Sequence, residues 1–279
     1  VAVRVLCAIL IWAVCGAAVA APVKRIYVFG DSYSDIGRGY VDSDGPTAVF
    51  YLAHRLGLEM VASNVPDPGG KSLDFAVSGA PTGEHAGRAV ETALLGLGMK
   101  NQVAEFAAMA RSGSVSFDQE TTVFYLAGGL NDRSLPTEKT VENLEAEMLS
   151  LYALGARRFR IVILPEKIPS FSEVGIRLNP ALEKIPSEMR SRLKGAEVET
   201  SRWGAFFDEV MVHAAKYGFT DTTEQCAGRA IFKQDATPCA SPTTHYFYHA
   251  GHPSTAVHKV VGDMLFAETV GAQYTGPTE

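Results

Sequence analysis

An α/β fold with a mainly parallel central sheet, covered by helices on both faces, is predicted from three observations. Short runs rich in β-branched and aromatic residues alternate along the chain with amphipathic helical stripes. The strand runs are apolar throughout, as buried parallel strands are, where half-solvated strands would alternate. Several stop abruptly in Gly, Asp, Asn or Ser, which places tight turns at the carboxyl ends of strands, the side of such sheets where ligands bind.

In chain order, Ile26 to Phe29 reads as the opening strand, ending at Gly30-Asp31-Ser32. Thr47 to Leu56, with Val49, Leu52, Ala53 and Leu56 on one face, predicts a helix. A short strand over Leu58 to Ala62 is followed by a Pro/Gly/Asn loop from Asn64 to Lys71, which leads into Leu73 to Ala80. Val103, Phe106, Ala107 and Ala110 make residues 100 to 111 helical. Thr121 to Ala127 is a buried strand that stops at Gly128-Gly129-Leu130-Asn131-Asp132. Val141, Leu144, Met148, Leu151 and Tyr152 form the stripe of a helix stopping near Gly155. Arg160 to Leu164 gives another strand, closed by Pro165, and residues 165 to 182 form a Pro-rich excursion with no readable element. Trp203, Phe206, Phe207, Val210, Met211 and Ala214 mark a core-packing helix ended by Gly218. The last helix is expected to start at Pro253 and to bury Val257, Val260, Val261, Met264 and Leu265.

Residues 1 to 20 read as a secretory signal peptide: Arg4 supplies the positive start, Leu6 to Val14 the apolar run, and Ala18-Val19-Ala20 the small-residue cleavage site. The run is shorter than the roughly 20 apolar residues of a spanning helix, so no stable membrane insertion is expected after cleavage. A secreted or periplasmic location follows, with residues 21 to 279 as a single domain, since no linker or repeat divides them. The chain carries a net charge of −6, one unit more negative without Arg4, which disfavours nucleic acid as a partner. Cys7 and Cys15 leave with the leader; Cys226 and Cys239 remain in one short loop. In an oxidising compartment a bridge between them is expected, two free thiols being the alternative.

Acyl transfer by a serine needs a hydroxyl, a base beside it and donors aimed at the developing oxyanion. The Gly-x-Ser-x-Gly elbow of α/β-hydrolases is absent. Four blocks in order are present instead: Gly30-Asp31-Ser32, Phe75-Ala76-Val77-Ser78-Gly79-Ala80, Gly129-Leu130-Asn131-Asp132 and His252-Pro253-Ser254. In these blocks the chain resembles the SGNH, or GDSL, hydrolase family. The resemblance implies a three-layer flavodoxin-like fold and hydrolysis of carboxylic esters without a cofactor. It also implies Ser32 as nucleophile and backbone donor, Gly79 as second backbone donor, Asn131 as side-chain donor and His252 as base. Substrates would be small-molecule, lipid or glycan esters, with specificity in loops such as 38 to 46, 64 to 72 and 165 to 182.

One position departs from the family pattern. The acid usually found three residues before the histidine is His249 here. Three readings follow: a weak dyad in which neutral His249 accepts a hydrogen bond from His252; a substitute for the acid, such as a backbone carbonyl, an anion or Asp235; or a catalytically impaired binding protein. His245, His249 and His252 also raise a metal cluster, but Tyr246-Phe247-Tyr248 and Pro253 argue against the helix such spacing would need. No metal is expected.

Overall fold

The computed structural model describes residues 21–276; the expected leader, with Cys7 and Cys15, and residues 277–279 lie outside them. In chain order the elements are β1 (Arg25–Gly30), α1 (Ala48–Arg55), β2 (Met60–Ala62), β3 (Ser72–Asp74), β4 (Ala86–Val90) and β5 (Ala93–Leu97). Then come α2 (Met99–Ser112), β6 (Thr122–Ala127), α3 (Thr137–Ala153), β7 (Arg158–Val162), α4 (Ser172–Leu182), α5 (Ile185–Met189) and β8 (Glu197–Ser201). The chain closes with α6 (Trp203–Val212), β9 (Asp221–Gln225), β10 (His245–His249), β11 (His252–Pro253) and α7 (Thr255–Thr269).

The central sheet has the order β2-β3-β1-β6-β7-β8, and every pair in it is parallel. Helices α1, α6 and α7 pack together on one face and α2, α3, α4 and α5 on the other, giving three layers. Leaving aside the short edge strand β2, the order is that of a flavodoxin-like sheet, with the topological switch between β1 and β6. Both strands are buried because both faces are covered, which is why their sequences are apolar without alternation. Phe29 stacks on Phe75 at 5.1 Å, and Phe106 from α2 meets both edge-on. Such pairs add about 0.5–1.5 kcal/mol each beyond their burial.

Four features differ from the sequence expectation, each for a local reason. Strand β8 reads Glu-Val-Glu-Thr-Ser and looks like surface, yet it is the sheet edge, where Glu197 pairs with Arg158 and Arg160 of β7. The excursion at 165–182 ends in α4, whose Pro180 lies in the last turn. The α6 stripe stops at Val212 and continues as a 3₁₀ turn before Gly218 closes it. Finally, α7 begins at Thr255, and Pro253 belongs to β11. The His252–Pro253 segment pairs antiparallel with β10, so the fixed φ of the proline serves an extended segment in place of a helix start.

Candidate active site

The turn after β1 is built by Asp31, whose Oδ1 accepts the Tyr33 N–H at 3.1 Å while its carbonyl accepts the N–H groups of Ser34 and Asp35. Gln102 of α2, wholly buried, clamps the end of the strand: Gly30 N–H donates to Oε1 and Nε2 donates to the Gly30 carbonyl, both at 2.9 Å. Ser32 is thereby presented at the carboxyl edge of the sheet. Its backbone N–H has no hydrogen-bond partner among the described residues.

Gly79 follows β3 and adopts φ +80°, a conformation that L side chains rarely adopt. A Cβ there would meet nothing closer than 3.6 Å, so backbone conformation demands the glycine and space does not. Its N–H is also unengaged among the described residues. Asn131 follows β6 and donates from Nδ2 to the Ala80 carbonyl at 3.1 Å, leaving the second amide hydrogen uncommitted. Asp132 draws these two loops together, accepting the Thr82 N–H at 3.0 Å and the Thr140 hydroxyl at 2.8 Å.

His252 arrives from the other end of the chain. The β10–β11 hairpin turns at Ala250-Gly251, with Gly251 at φ +71°, and pairs His249 with His252. Tyr33, the neighbour of Ser32, donates its hydroxyl to the Gly251 carbonyl at 2.8 Å, tying the hairpin to the serine turn. The imidazole sits between Tyr33 and Phe171, with Nε2 2.8 Å from Ser32 Oγ. Nδ1 lies 2.9 Å from the Ala250 carbonyl and 2.6 Å from Arg229 Nη2.

The carboxylate of this site is Asp42, in the loop read from sequence only as a specificity segment. Its Oδ2 is 3.7 Å from His252 Nε2 and accepts the Ser78 hydroxyl at 2.8 Å. Its Oδ1 accepts from Arg229 Nε and lies 3.4 Å from His249 Nδ1. Burial alone would raise Asp42, but His252, His249, Arg229 and Ser78 outweigh it and hold the carboxyl well below the usual range. His252 is shifted down, by burial first; Asp42 pulls it back up, Arg229 pushes it down, the Ala250 carbonyl supports the charged form and His249 opposes it. Asp35 fixes the approach of this loop: its carboxylate accepts N–H groups from Gly37, Gly39, Tyr40 and Ser78.

The structure thus brings the four sequence-predicted residues, Ser32, Gly79, Asn131 and His252, to the wall of one crevice of about 350 Å³, joined by Asp42, Ser78 and Arg229. Two expectations are corrected. The Asp235 carboxylate accepts the Thr237 N–H in an exposed loop and makes no hydrogen bond or ion pair with the imidazole among the described residues. His249 faces Asp42 and stacks on Tyr40, and hydrogen-bonds no ring nitrogen of His252. The three histidines of the spacing argument lie on strands β10 and β11. Cys226 and Cys239 are bridged. Sequence reasoning missed Asp42, Arg229 and Gln102 because their partners lie far off in the chain, Gln102 acting on Gly30 across 72 residues and Arg229 on Asp42 across 187. Asp42 in the Asp42-Ser43-Asp44 run was the one weak signal.

A GDSL esterase/lipase of Arabidopsis thaliana is 25% identical in a match covering 50% of this chain and 43% of that relative, so the chain spans less than half its length. A second GDSL esterase/lipase of the same plant is 21% identical over 87% of this chain and 89% of its own. Among solved structures, a catalytic mutant of an acetylxylan esterase from Geobacillus stearothermophilus matches 91% of this chain and 97% of its own at 14% identity, with a TM-score of 0.47. The family model described as GDSL-like lipase/acylhydrolase matches residues 26–265, and the chain belongs to that family.

Proposed function

We propose that the protein is an exported serine esterase that hydrolyses carboxylic esters through an acyl-Ser32 intermediate. The observation that carries this reading is the 2.8 Å contact between Ser32 Oγ and His252 Nε2, in a crevice where two backbone N–H groups have no partner among the described residues. Ser32 O–H gives its proton to Nε2 as Oγ attacks the ester carbonyl. The tetrahedral oxyanion receives the N–H groups of Ser32 and Gly79 and the free Nδ2 hydrogen of Asn131. As it collapses, Nε2–H protonates the departing alkoxide; water then attacks the acyl group by the same route, and the acid and Ser32 are released.

The usual acid has two jobs, holding the tautomer and compensating the imidazolium charge. Here they fall to different groups. The Ala250 carbonyl accepts the Nδ1–H, which leaves Nε2 free as acceptor, and Asp42 places its negative charge beside the ring. The plant relatives named above are esterase/lipases by their names, and lipid esters are among the first substrates to try. Export rests on the sequence of residues 1 to 20 together with the Cys226–Cys239 bridge.

A second reading, a binding protein on the same scaffold, is favoured by one contact. Arg229 Nη2 is 2.6 Å from His252 Nδ1, and an N–H donated there puts the ring proton on Nε2, where it blocks proton transfer from Ser32. Labelling with a fluorophosphonate separates the two. Wild type is expected to label stoichiometrically and Ser32→Ala not at all; absence of labelling in folded wild type would decide for the binder.

A further inference from the structure

The crevice is cationic in an acidic protein. Arg88, Arg133 and Arg229 line it together with His85, and its one carboxylate is Asp42. Asp42 is already committed to Arg229, so these two cancel. Two guanidinium groups remain. Arg133 donates one N–H to the Ser170 carbonyl and lies over the Phe171 ring at 5.3 Å, with no acidic partner among the described residues. Arg88 is exposed on β4, where its backbone pairs with Leu95, and its side chain has neither hydrogen bond nor ion pair among the described residues. Elsewhere some arginines meet a carboxylate, as Arg38 and Arg160 do, while others, such as Arg157 and Arg177, bond only carbonyl or hydroxyl oxygens among the described residues. What sets Arg88 and Arg133 apart is position: both line the cavity that holds Ser32 and His252, where two guanidinium groups without an acidic partner make a place for a negative charge brought by a ligand.

Resting on the proposed hydrolysis at Ser32, we propose that the crevice selects esters that carry an anionic group, a carboxylate or phosphate, seated on Arg88 and Arg133. The planar guanidinium binds either anion through paired N–H donors, and Phe171, Leu95 and Phe232 supply apolar wall for the body of the substrate. Neutral esters of equal size reach the same serine without these contacts.

Matched pairs of esters test this. Para-acetoxybenzoate against para-acetoxybenzamide puts the charge on the alcohol side, monophenyl glutarate against phenyl butyrate puts it on the acyl side, and para-acetoxyphenyl phosphate substitutes phosphate for carboxylate. In at least one pair the anion is expected to have a kcat/KM about 10- to 10²-fold higher at low salt, the range of one or two charge-assisted hydrogen bonds. The ratio should fall toward one at roughly 1 M salt, where screening shortens to about 3 Å, and in Arg88→Gln and Arg133→Gln. Should a variant fail to fold, the salt response of wild type decides. Equal, Ser32-dependent turnover of both members of every pair would overturn the anion preference and leave the esterase standing. If nothing is turned over and Ser32 does not label, hydrolysis itself falls. Calorimetric binding of para-acetoxybenzoate and para-acetoxybenzamide to Ser32→Ala then still judges the preference, tighter binding of the anion supporting it and equal binding ending it.

Discussion

Two charged residues pull His252 in opposite directions. Asp42, 3.7 Å from Nε2, favours the imidazolium; Arg229, 2.6 Å from Nδ1, disfavours it. Burial sets the overall downward shift, which favours the neutral form of the ring that the proposed mechanism needs in a base. The acidic limb of a kcat/KM profile reports the pKa of the base in the free enzyme. Asp42→Asn removes a group that raises it, so the limb should move to lower pH; Arg229→Gln removes one that lowers it, so the limb should move to higher pH. Asp42→Asn should also reduce kcat by about 10²-fold. That is less than the roughly 10⁴-fold of losing the acid in a chymotrypsin-type triad, because the Ala250 carbonyl still holds the tautomer. Shifts in the same direction for both variants would show that one of the two charges does not act on the ring as assigned. This pairing was invisible in the sequence, where the spacing from His252 pointed only to His249.

At the scale of elements, α3 carries a cost that its stripe of apolar residues conceals. Glu147 projects among them, is almost wholly buried, and neither carboxylate oxygen has a hydrogen-bond partner among the described residues. Burial pushes it well above the ordinary glutamate range; Lys100 pulls it back, and Asp132 pushes the same way as burial. The folded state therefore holds a proton that the unfolded chain releases near its ordinary pKa. Stability contributed by that proton is present below this value and lost as pH rises toward the folded-state pKa. Glu147→Gln should accordingly leave the melting temperature unchanged near pH 4 and raise it at pH 8. A gain of about 1–3 kcal/mol is expected, at roughly 2–4 °C per kcal/mol. Thermal melts of the two proteins across this range check the sign, and an equal offset at both pH values would point to packing rather than ionisation. The helix itself was readable from its period; the misfit on it was not, because its environment is supplied by α2.

For the whole molecule, the site depends on bringing three distant stretches to the edge where β1 and β6 diverge. The Cys226–Cys239 bridge helps the last of them: it closes the loop that carries Arg229, and Cys239 N–H donates to the Cys226 carbonyl at 2.8 Å within it. Closing a loop of about this length is worth roughly 3 kcal/mol in the chain-entropy account. Reduction, or Cys226→Ala with Cys239→Ala, is therefore expected to lower the melting temperature by roughly 6–12 °C. Esterase activity should fall in parallel, since Arg229 would lose its frame beside Asp42. Melting with and without reductant, followed by assay below both transitions, checks this; unchanged activity in the reduced protein would separate the loop from the site.

The alternation of apolar runs and helical stripes was enough, by itself, to predict the parallel sheet and most of its helices, because burial on both faces and one-sided helix packing write themselves locally into residue order. The four motif blocks, each an ordinary turn alone, pointed to Ser32, Gly79, Asn131 and His252 through the resemblance their order carries, and these four line one crevice. Edge strand β8, the β4–β5 hairpin and helix α4 were not legible, since charge pairing with β7 and packing on neighbours override their weak local patterns. Only the tertiary structure decided that Asp42 stands beside the imidazole, that Ala250 offers its carbonyl to Nδ1, and that Arg88 and Arg133 open onto the same crevice. Electrostatic contacts act through space over a few ångströms and leave no period in the chain, so residues far apart in order become partners only once the sheet has brought its loops to one rim.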